Sequence, residues 1–170
     1  MFLGKDIIGS PVITVSDGRT IGKVRDIYLT PDCQSVVALY LGSEGLFSRT
    51  AYLVKSDDVN VIGPDATLVK DDQVIHELDD VTEAENWLRR DHLQGRAVDT
   101  PGGTKVGKIG DVILDKHGDI LGFSLSHAFV SGPIADKRAI ACHAVQSIGS
   151  EDRAMMIDLK QAEQQQLSVV

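Results

Sequence analysis

The sequence has few aromatic residues, and it lacks a long apolar run and a basic segment. Aromatic residues make up 5% of the 170 residues. The longest apolar run, residues 36–41, is far shorter than the roughly 20 residues that span a bilayer. The N-terminus shows no basic region followed by an apolar core and a cleavage site, so we expect no signal peptide. A net charge of −8 with no basic segment argues against direct binding of nucleic acid or anionic lipid.

Cysteine is also scarce, since the chain contains only Cys33 and Cys142. Cys33 follows a Pro-Asp turn signal, whereas Cys142 ends an apolar run. This spacing does not suggest a disulfide framework, and it favours one surface thiol and one buried thiol in a reducing compartment. We therefore expect a cytoplasmic protein.

What the sequence does contain is an internal repeat. Three blocks occur twice in the same order, aligning residues 18–29 with 102–114, 37–41 with 121–125, and 58–63 with 144–149. The alignment places Gly22 on Gly107 and Asp26 on Asp111, and its shift changes by only one residue between blocks. Matched blocks with small insertions indicate a duplicated unit.

Each copy reads as short β-strands separated by turn residues. The predicted strands are 12–15, 21–29, 36–41, 51–54, 59–62 and 66–69, then 97–98, 106–114, 120–125, 138–142, 145–148 and 154–157. Strands this short, spaced about 8–12 residues apart with no long helix, predict a mainly all-β protein of two small antiparallel barrels. We divide the chain into residues 1–75, a linker at 76–90, and residues 91–170 with a polar C-terminal tail.

Helical patterns occur at two places. Asp80 is a good N-cap for residues 81–90, where acidic residues come early and Arg89 and Arg90 come last, as the helix dipole favours. This pattern predicts a short acidic linker helix. Residues 158–167 predict a terminal helix that frays through its glutamine run.

The repeated pattern Gly-Xaa-Xaa-Ile/Val-Gly-Lys-Val/Ile, then Asp-Ile/Val-Xaa-Leu and an apolar strand, resembles the PRC-barrel domain, and so does the closing Val-Xaa-Xaa-Ile-Gly. The resemblance covers almost the whole chain, twice. This family includes the cytoplasmic domain of the photosynthetic reaction-centre H subunit and the C-terminal domain of a ribosome maturation factor. The chain lacks the transmembrane helix of the first and the RNA-associated N-terminal domain of the second.

The resemblance implies a docking module without catalytic residues. We expect a non-enzymatic adaptor that docks on a partner protein or a large assembly. Two alternatives stay open, namely a ribosome or RNA-metabolism accessory that binds a ribosomal protein, and an accessory or assembly factor of a photosynthetic or redox membrane complex. The second would involve peripheral association only, without a transmembrane segment.

No motif in the sequence points to catalysis, a cofactor or a metal. Residues 102–108 match P-loop spacing, but Ile109 follows in place of Ser or Thr and a β-type stretch follows in place of a helix. Asp26 and Asp111 recur inside apolar strands, where they serve either as proton carriers or as acceptors of backbone hydrogen bonds. Their repetition favours the structural interpretation. The five histidines form no ligand pair.

The candidate protein-contact residues are apolar side chains in turns and in the linker. They are Leu46, Phe47, Phe129, Val130 and Trp87. Exposed apolar loop tips often mark contacts with another chain, although such loops also fold back to plug a barrel mouth. Trp87 either anchors the linker or lies at an oligomer contact.

The last expectation concerns packing between the repeats. We expect the barrels to pack on each other through an apolar seam near Trp87, which makes a homodimer a secondary and weaker contact. The predicted core residues are Ile27, Leu29, Val37, Leu39, Val59, Ile62, Val112, Leu114, Leu121, Phe123, Val145 and Ile148.

Overall fold

The computed structural model describes residues 1–45, 49–165 and 167. The first repeat consists of short strands at the predicted apolar runs. In chain order its elements are β1 (Phe2–Leu3), α1 (Gly4–Ile7), β2 (Pro11–Thr14), β3 (Thr20–Lys23), β4 (Asp26–Leu29), β5 (Val36–Glu44), β6 (Thr50–Lys55), β7 (Val59–Val61), β8 (Thr67–Val69) and β9 (Ile75–Glu77). Short 3₁₀ turns at Ser56–Asp58 and Asp72–Val74 connect the later strands.

The second repeat follows the same plan. Its elements are β10 (Leu88–Arg89), β11 (Ala97–Asp99), β12 (Lys105–Leu114), β13 (Ile120–Ala128), α2 (Pro133–Lys137), β14 (Ala139–Ala141), β15 (Val145–Ser147), β16 (Met155–Ile157) and α3 (Leu159–Gln164). Asp158 caps α3 by accepting a hydrogen bond from the Gln161 amide, which confirms the predicted terminal helix. The segment with P-loop spacing runs into strand β12, as its β-rich sequence predicts.

Both repeats have the same strand order, which confirms the duplicated β fold. β2 pairs with β3 and β8, and β8 pairs with β7, while β4, β5 and β6 form a meander. The corresponding order in the second repeat is β14-β13-β12-β11-β16-β15. The barrels are mainly antiparallel, as predicted, and each contains one parallel pair, β2 with β8 and β11 with β16.

The segments that precede the two barrels are exchanged between them. We call residues 2–9 and 88–95 the leader segments. β1 pairs with β12 of the second repeat, with Phe2 opposite Leu114, and β10 pairs with β4 of the first repeat, with Leu88 opposite Leu29. Each leader then returns to its own barrel, since the Gly9 amide donates to Val24 O (2.7 Å) and the Gly95 amide to Ile109 O (2.8 Å). The pairing follows the pseudo-twofold symmetry of the duplication.

A single hydrophobic core extends through both repeats, which confirms the predicted apolar seam. The turns before β5 and β13 also meet, because the Val36 amide donates to Gly118 O and the Ile120 amide to Gln34 O. Among the predicted core residues, the fully or almost fully buried ones are Ile27, Leu29, Leu39, Ile62, Val112, Leu114 and Phe123. The half-buried ones are Val37, Val59, Leu121, Val145 and Ile148.

The linker is helical, as predicted, but it forms short 3₁₀ helices and not one helix capped by Asp80. It forms 3₁₀ turns at Leu78–Asp80 and Thr82–Asn86 before β10. Its apolar residues Leu78, Val81, Ala84 and Trp87 recur at every third position. The Val81 amide donates to Leu78 O, the Ala84 amide to Val81 O and the Trp87 amide to Ala84 O. A period of three matches the 3.0 residues per turn of a 3₁₀ helix and not the 3.6 of an α-helix.

One cysteine is buried, as expected, but the other is half-buried and not a surface thiol. Cys33 is fully buried although a turn surrounds it, and Cys142 is half-buried, with its thiol donating to Ile120 O at 3.1 Å. Both are free thiols. Burial raises the pKa of the Cys33 thiol to about 12 and that of Cys142 to about 11, so neither is a reactive thiolate near neutral pH.

Candidate protein-contact surface

The predicted contact residues do not form one surface. Phe129 is 56% exposed and its ring stacks on His127, with centroids 6.5 Å apart. Val130 is half-buried and packs against the core, which is the arrangement of a loop that plugs its own barrel mouth. Leu46 and Phe47 lie outside the described residues. A contact role for these residues stays a prediction.

Trp87 anchors the linker on the outer face of the first repeat. Its ring lies 5.8 Å from the Tyr28 ring, centroid to centroid, and Tyr28 in turn makes an edge-on contact with Tyr40 at 6.1 Å. The Arg89 guanidinium lies 5.0 Å from the centre of the Tyr40 ring. These side chains belong to a small second cluster that also contains Val81. We expected Trp87 near the seam between the barrels, and the structure instead places it away from that seam, in this second cluster.

A groove runs along this linker, on the face of the β4-β5-β6 sheet that points away from the main core. Its cavity has a volume of about 310 Å³. The lining residues are Tyr28, Leu78, Asp79, Val81, Thr82, Ala84 and Glu85. The apolar side chains hold the linker against the sheet, and burial raises the pKa of the Tyr28 hydroxyl. The same turns direct the polar residues between them outward. We call this feature the linker groove.

The rim of the linker groove is acidic. The exposed carboxylates of the linker are Glu77, Asp79, Asp80, Glu83 and Glu85. Within the described part of the chain, only Glu83 among them forms an ion pair, to Lys55 Nζ at 2.9 Å. The pKa of Glu83 is lowered by its backbone hydrogen bond and by Lys55. Asp79 and Glu85 line the groove itself, so it combines apolar side chains with two carboxylates that form no ion pair in the described chain.

Asp26 and Asp111 bind an arginine between the two barrels. Both are almost fully buried, and Oδ1 of each accepts from the amide of the following residue at 2.8 Å. Arg90 bridges them, with Nε 3.2 Å from Asp26 Oδ1 and Nη1 2.9 Å from Asp111 Oδ1. Asp26 Oδ2 also accepts from Arg89, and Asp111 Oδ2 from the Lys5 amide. All four carboxylate oxygens have partners, which supports the structural interpretation.

The pseudo-symmetry is broken at this bridge. Gly4 occupies the position in the first leader segment that Arg90 occupies in the second. A Cβ on Gly4 would lie 2.6 Å from Arg90 Cδ and 2.8 Å from Asp111 Oδ1. Glycine is therefore required there, because one guanidinium serves both carboxylates. This role of Arg90 was not predicted, although an aspartate inside an apolar strand of each repeat was a signal that a cation lies nearby.

Two features that would indicate other kinds of function are absent from the described residues. No group of three or more His, Cys, Asp or Glu side chains among them is placed to hold a metal ion. Over the same residues, no helix has the length and hydropathy needed to cross a membrane.

Strand order, leader exchange and the duplicated glycine-lysine turn together define a class, a tandem pair of small β-barrels sharing one core. The family model of the PRC-barrel domain matches residues 1–74 and again residues 88–164. The chain therefore belongs to the PRC-barrel family, with two copies of the domain. PRC-barrel domains are generally non-catalytic modules. A search of curated proteins finds no match.

Proposed function

We propose that the protein is a non-catalytic adaptor that docks a basic segment of a partner protein in the linker groove. The observation that carries this proposal is a cavity of about 310 Å³ that combines apolar side chains with the carboxylates of Asp79 and Glu85. It lies on a linker with five exposed carboxylates, of which only Glu83 has an ion-pair partner in the described chain. An arginine or lysine side chain buries its aliphatic stem on apolar surface while its charged end meets carboxylates.

The charge on the groove also discriminates between kinds of partner. Unpaired carboxylates repel nucleic acid and anionic lipid headgroups, and they attract cationic protein segments. Of the two alternative roles, binding to a basic ribosomal protein is the one whose partner carries the complementary charge.

The test is binding of a synthetic peptide, Arg-Leu-Lys-Arg-Leu, measured by isothermal titration calorimetry. We expect the double variant Asp79→Asn/Glu85→Gln to weaken binding about tenfold, since each lost charge-assisted contact contributes about 1 kcal/mol or less at an exposed site. The affinity should also fall steadily as salt is raised.

The matched control is Asp136→Asn/Glu151→Gln, which removes the same charge from exposed positions of the second repeat. It should change the affinity less than about twofold, because long-range attraction is screened over roughly 10 Å. Equal losses in the two double variants would show that the peptide responds to net charge and not to the groove. Equal binding of a Glu-Leu-Glu-Glu-Leu peptide would contradict the proposal as well.

A further inference from the structure

The first barrel is open where the second is closed. In the second repeat β12 pairs with β13 as far as its beginning, with Gly107 opposite Ala128 and Lys108 opposite His127. In the first repeat the corresponding strands β3 and β5 belong to different sheets, and no backbone pairing joins them in the described part of the chain. Two strand edges therefore face each other across a gap that we call the barrel cleft.

Two local differences between the repeats accompany this gap, one at Arg25 and one at Gly42. Arg25 is the counterpart of Gly110 in the second repeat. A Cβ added at Gly110 would lie only 3.0 Å from the Ser126 amide nitrogen, so a side chain fits poorly there. The Arg25 side chain instead lies across Gly42, a residue at φ +98 where the register of β5 shifts. The Arg25 amide still donates to Tyr40 O at 2.7 Å, so the strands meet at Arg25 and separate on the β3 side of it, beside the bulge at Gly42.

Gly22 and its counterpart Gly107 show the same difference in the space between the strands. A Cβ on Gly107 would lie 2.2 Å from His127 O, so the closed barrel requires glycine there. A Cβ on Gly22 would meet only the Leu41 side chain, at 3.7 Å. The space beside β3 could therefore accept a side chain, whereas the space beside β12 is filled by the backbone of β13.

The barrel cleft is apolar and only partly covered. Its cavity has a volume of about 170 Å³ and is lined by Ile21, Gly22, Leu41, Glu44, Tyr52 and Ile75. Ile21 is half-buried whereas its counterpart Val106 is fully buried, and Leu41 is half-buried whereas Leu125 is 5% exposed. Core positions are thus left accessible in the first repeat alone.

Positive charge flanks the barrel cleft in a protein that is acidic as a whole. Lys23 ends β3, Arg25 follows it, and Arg49 precedes β6, all three exposed. None of them forms an ion pair with another residue of the described chain, and Glu44 is the one carboxylate that lines the cavity. The cleft and the linker groove share no lining residue.

We propose that the barrel cleft binds an extended acidic segment of a partner protein as an added β-strand. Unpaired strand edges recognise a peptide through main-chain hydrogen bonds, and an apolar lining selects aliphatic side chains at alternate positions. Carboxylates at the ends of the segment meet Lys23, Arg25 and Arg49. This second surface, of opposite charge preference to the linker groove, goes beyond the proposed function and stands or falls independently of it.

The test uses the full chain labelled with ¹⁵N and the synthetic peptide Glu-Val-Thr-Val-Glu. We expect the peptide to shift the amide resonances of β3 and of residues 41–44 and to slow their hydrogen exchange, while those of β12 stay unchanged. A Lys-Val-Thr-Val-Lys peptide should bind at least about tenfold more weakly. A peptide methylated on alternate amide nitrogens should not bind, because it lacks the donors.

Two variants separate shape from charge. Arg25→Gly should let β3 and β5 pair as in the second repeat and abolish binding, whereas Arg25→Gln keeps the strands apart and should weaken binding only severalfold. Lys108→Ala, at the counterpart of Lys23, is the control and should have no effect. The proposal is overturned if the acidic peptide leaves β3 and β5 unperturbed, if it perturbs β12 equally, or if Arg25→Gly binds it as well as the native chain.

Discussion

Replacing Arg90 with methionine is expected to lower the free energy of unfolding by about 3–5 kcal/mol. Arg90 is 8% exposed and bridges Asp26 and Asp111, which are 2% and 4% exposed. Without the guanidinium, Asp111 keeps backbone donors but loses its only cation in the described chain, and Asp26 keeps only Arg89. Leaving a buried charge uncompensated costs far more than the pair itself contributes. Urea unfolding followed by circular dichroism measures the loss.

Arg96 is the matched control for that substitution. It is also buried, at 9% exposed, but no carboxylate of the described chain pairs with it, its Nε has no hydrogen-bond partner, and Nη1 donates to Ile148 O at 3.1 Å. Arg96→Met should therefore change stability by about 1 kcal/mol or less. Adding Asp111→Asn to Arg90→Met should recover part of the loss. Equal effects of Arg90→Met and Arg96→Met would show that lost packing, not lost charge pairing, is responsible.

Truncating Phe123 to alanine is expected to cost about 3–5 kcal/mol, comparable to the Arg90 substitution. Phe123 is fully buried and is among the largest fully buried side chains, at the centre of β13 opposite Val112. Strands on both sides hold its surroundings in place, so the cavity left by the ring cannot collapse. Thermal and urea unfolding should agree on the loss.

Phe129 provides the control with the same change of side chain. It lies just beyond the same strand and is 56% exposed, so Phe129→Ala should change stability by no more than about 0.5 kcal/mol. A loss below about 1 kcal/mol for Phe123→Ala would mean that the face of β13 has been assigned incorrectly.

Much of the fold follows from local sequence. Alternation along residues 26–29 places Ile27 and Leu29 in the core and Tyr28 on the other face, and the structure confirms both positions. Turn glycines and apolar runs locate the strands, because both signals depend on neighbouring residues only. The duplication then predicts the second barrel from the first.

The exchanged leaders and the two surfaces needed tertiary information. Nothing in residues 2–9 or 88–95 specifies which barrel supplies the neighbouring strand, since each edge offers the same backbone groups. The linker groove was missed because Glu83 and Glu85 were related to the dipole of a helix over 81–90. The three-residue spacing of Leu78, Val81 and Ala84 was a signal for 3₁₀ turns. Arg25 in place of Gly110 was visible in the aligned repeats, but its consequence depends on the bulge at Gly42.

The central claim is that the two barrels form one cooperative unit, held by exchanged leaders and a shared core. The most direct test is to express residues 88–170 without residues 1–87 and to measure urea unfolding and sedimentation. We expect the fragment to be unfolded or self-associated, because it lacks β1 beside β12. Adding residues 1–87 should restore the stability of the full chain. A monomeric fragment as stable as the full chain would contradict it.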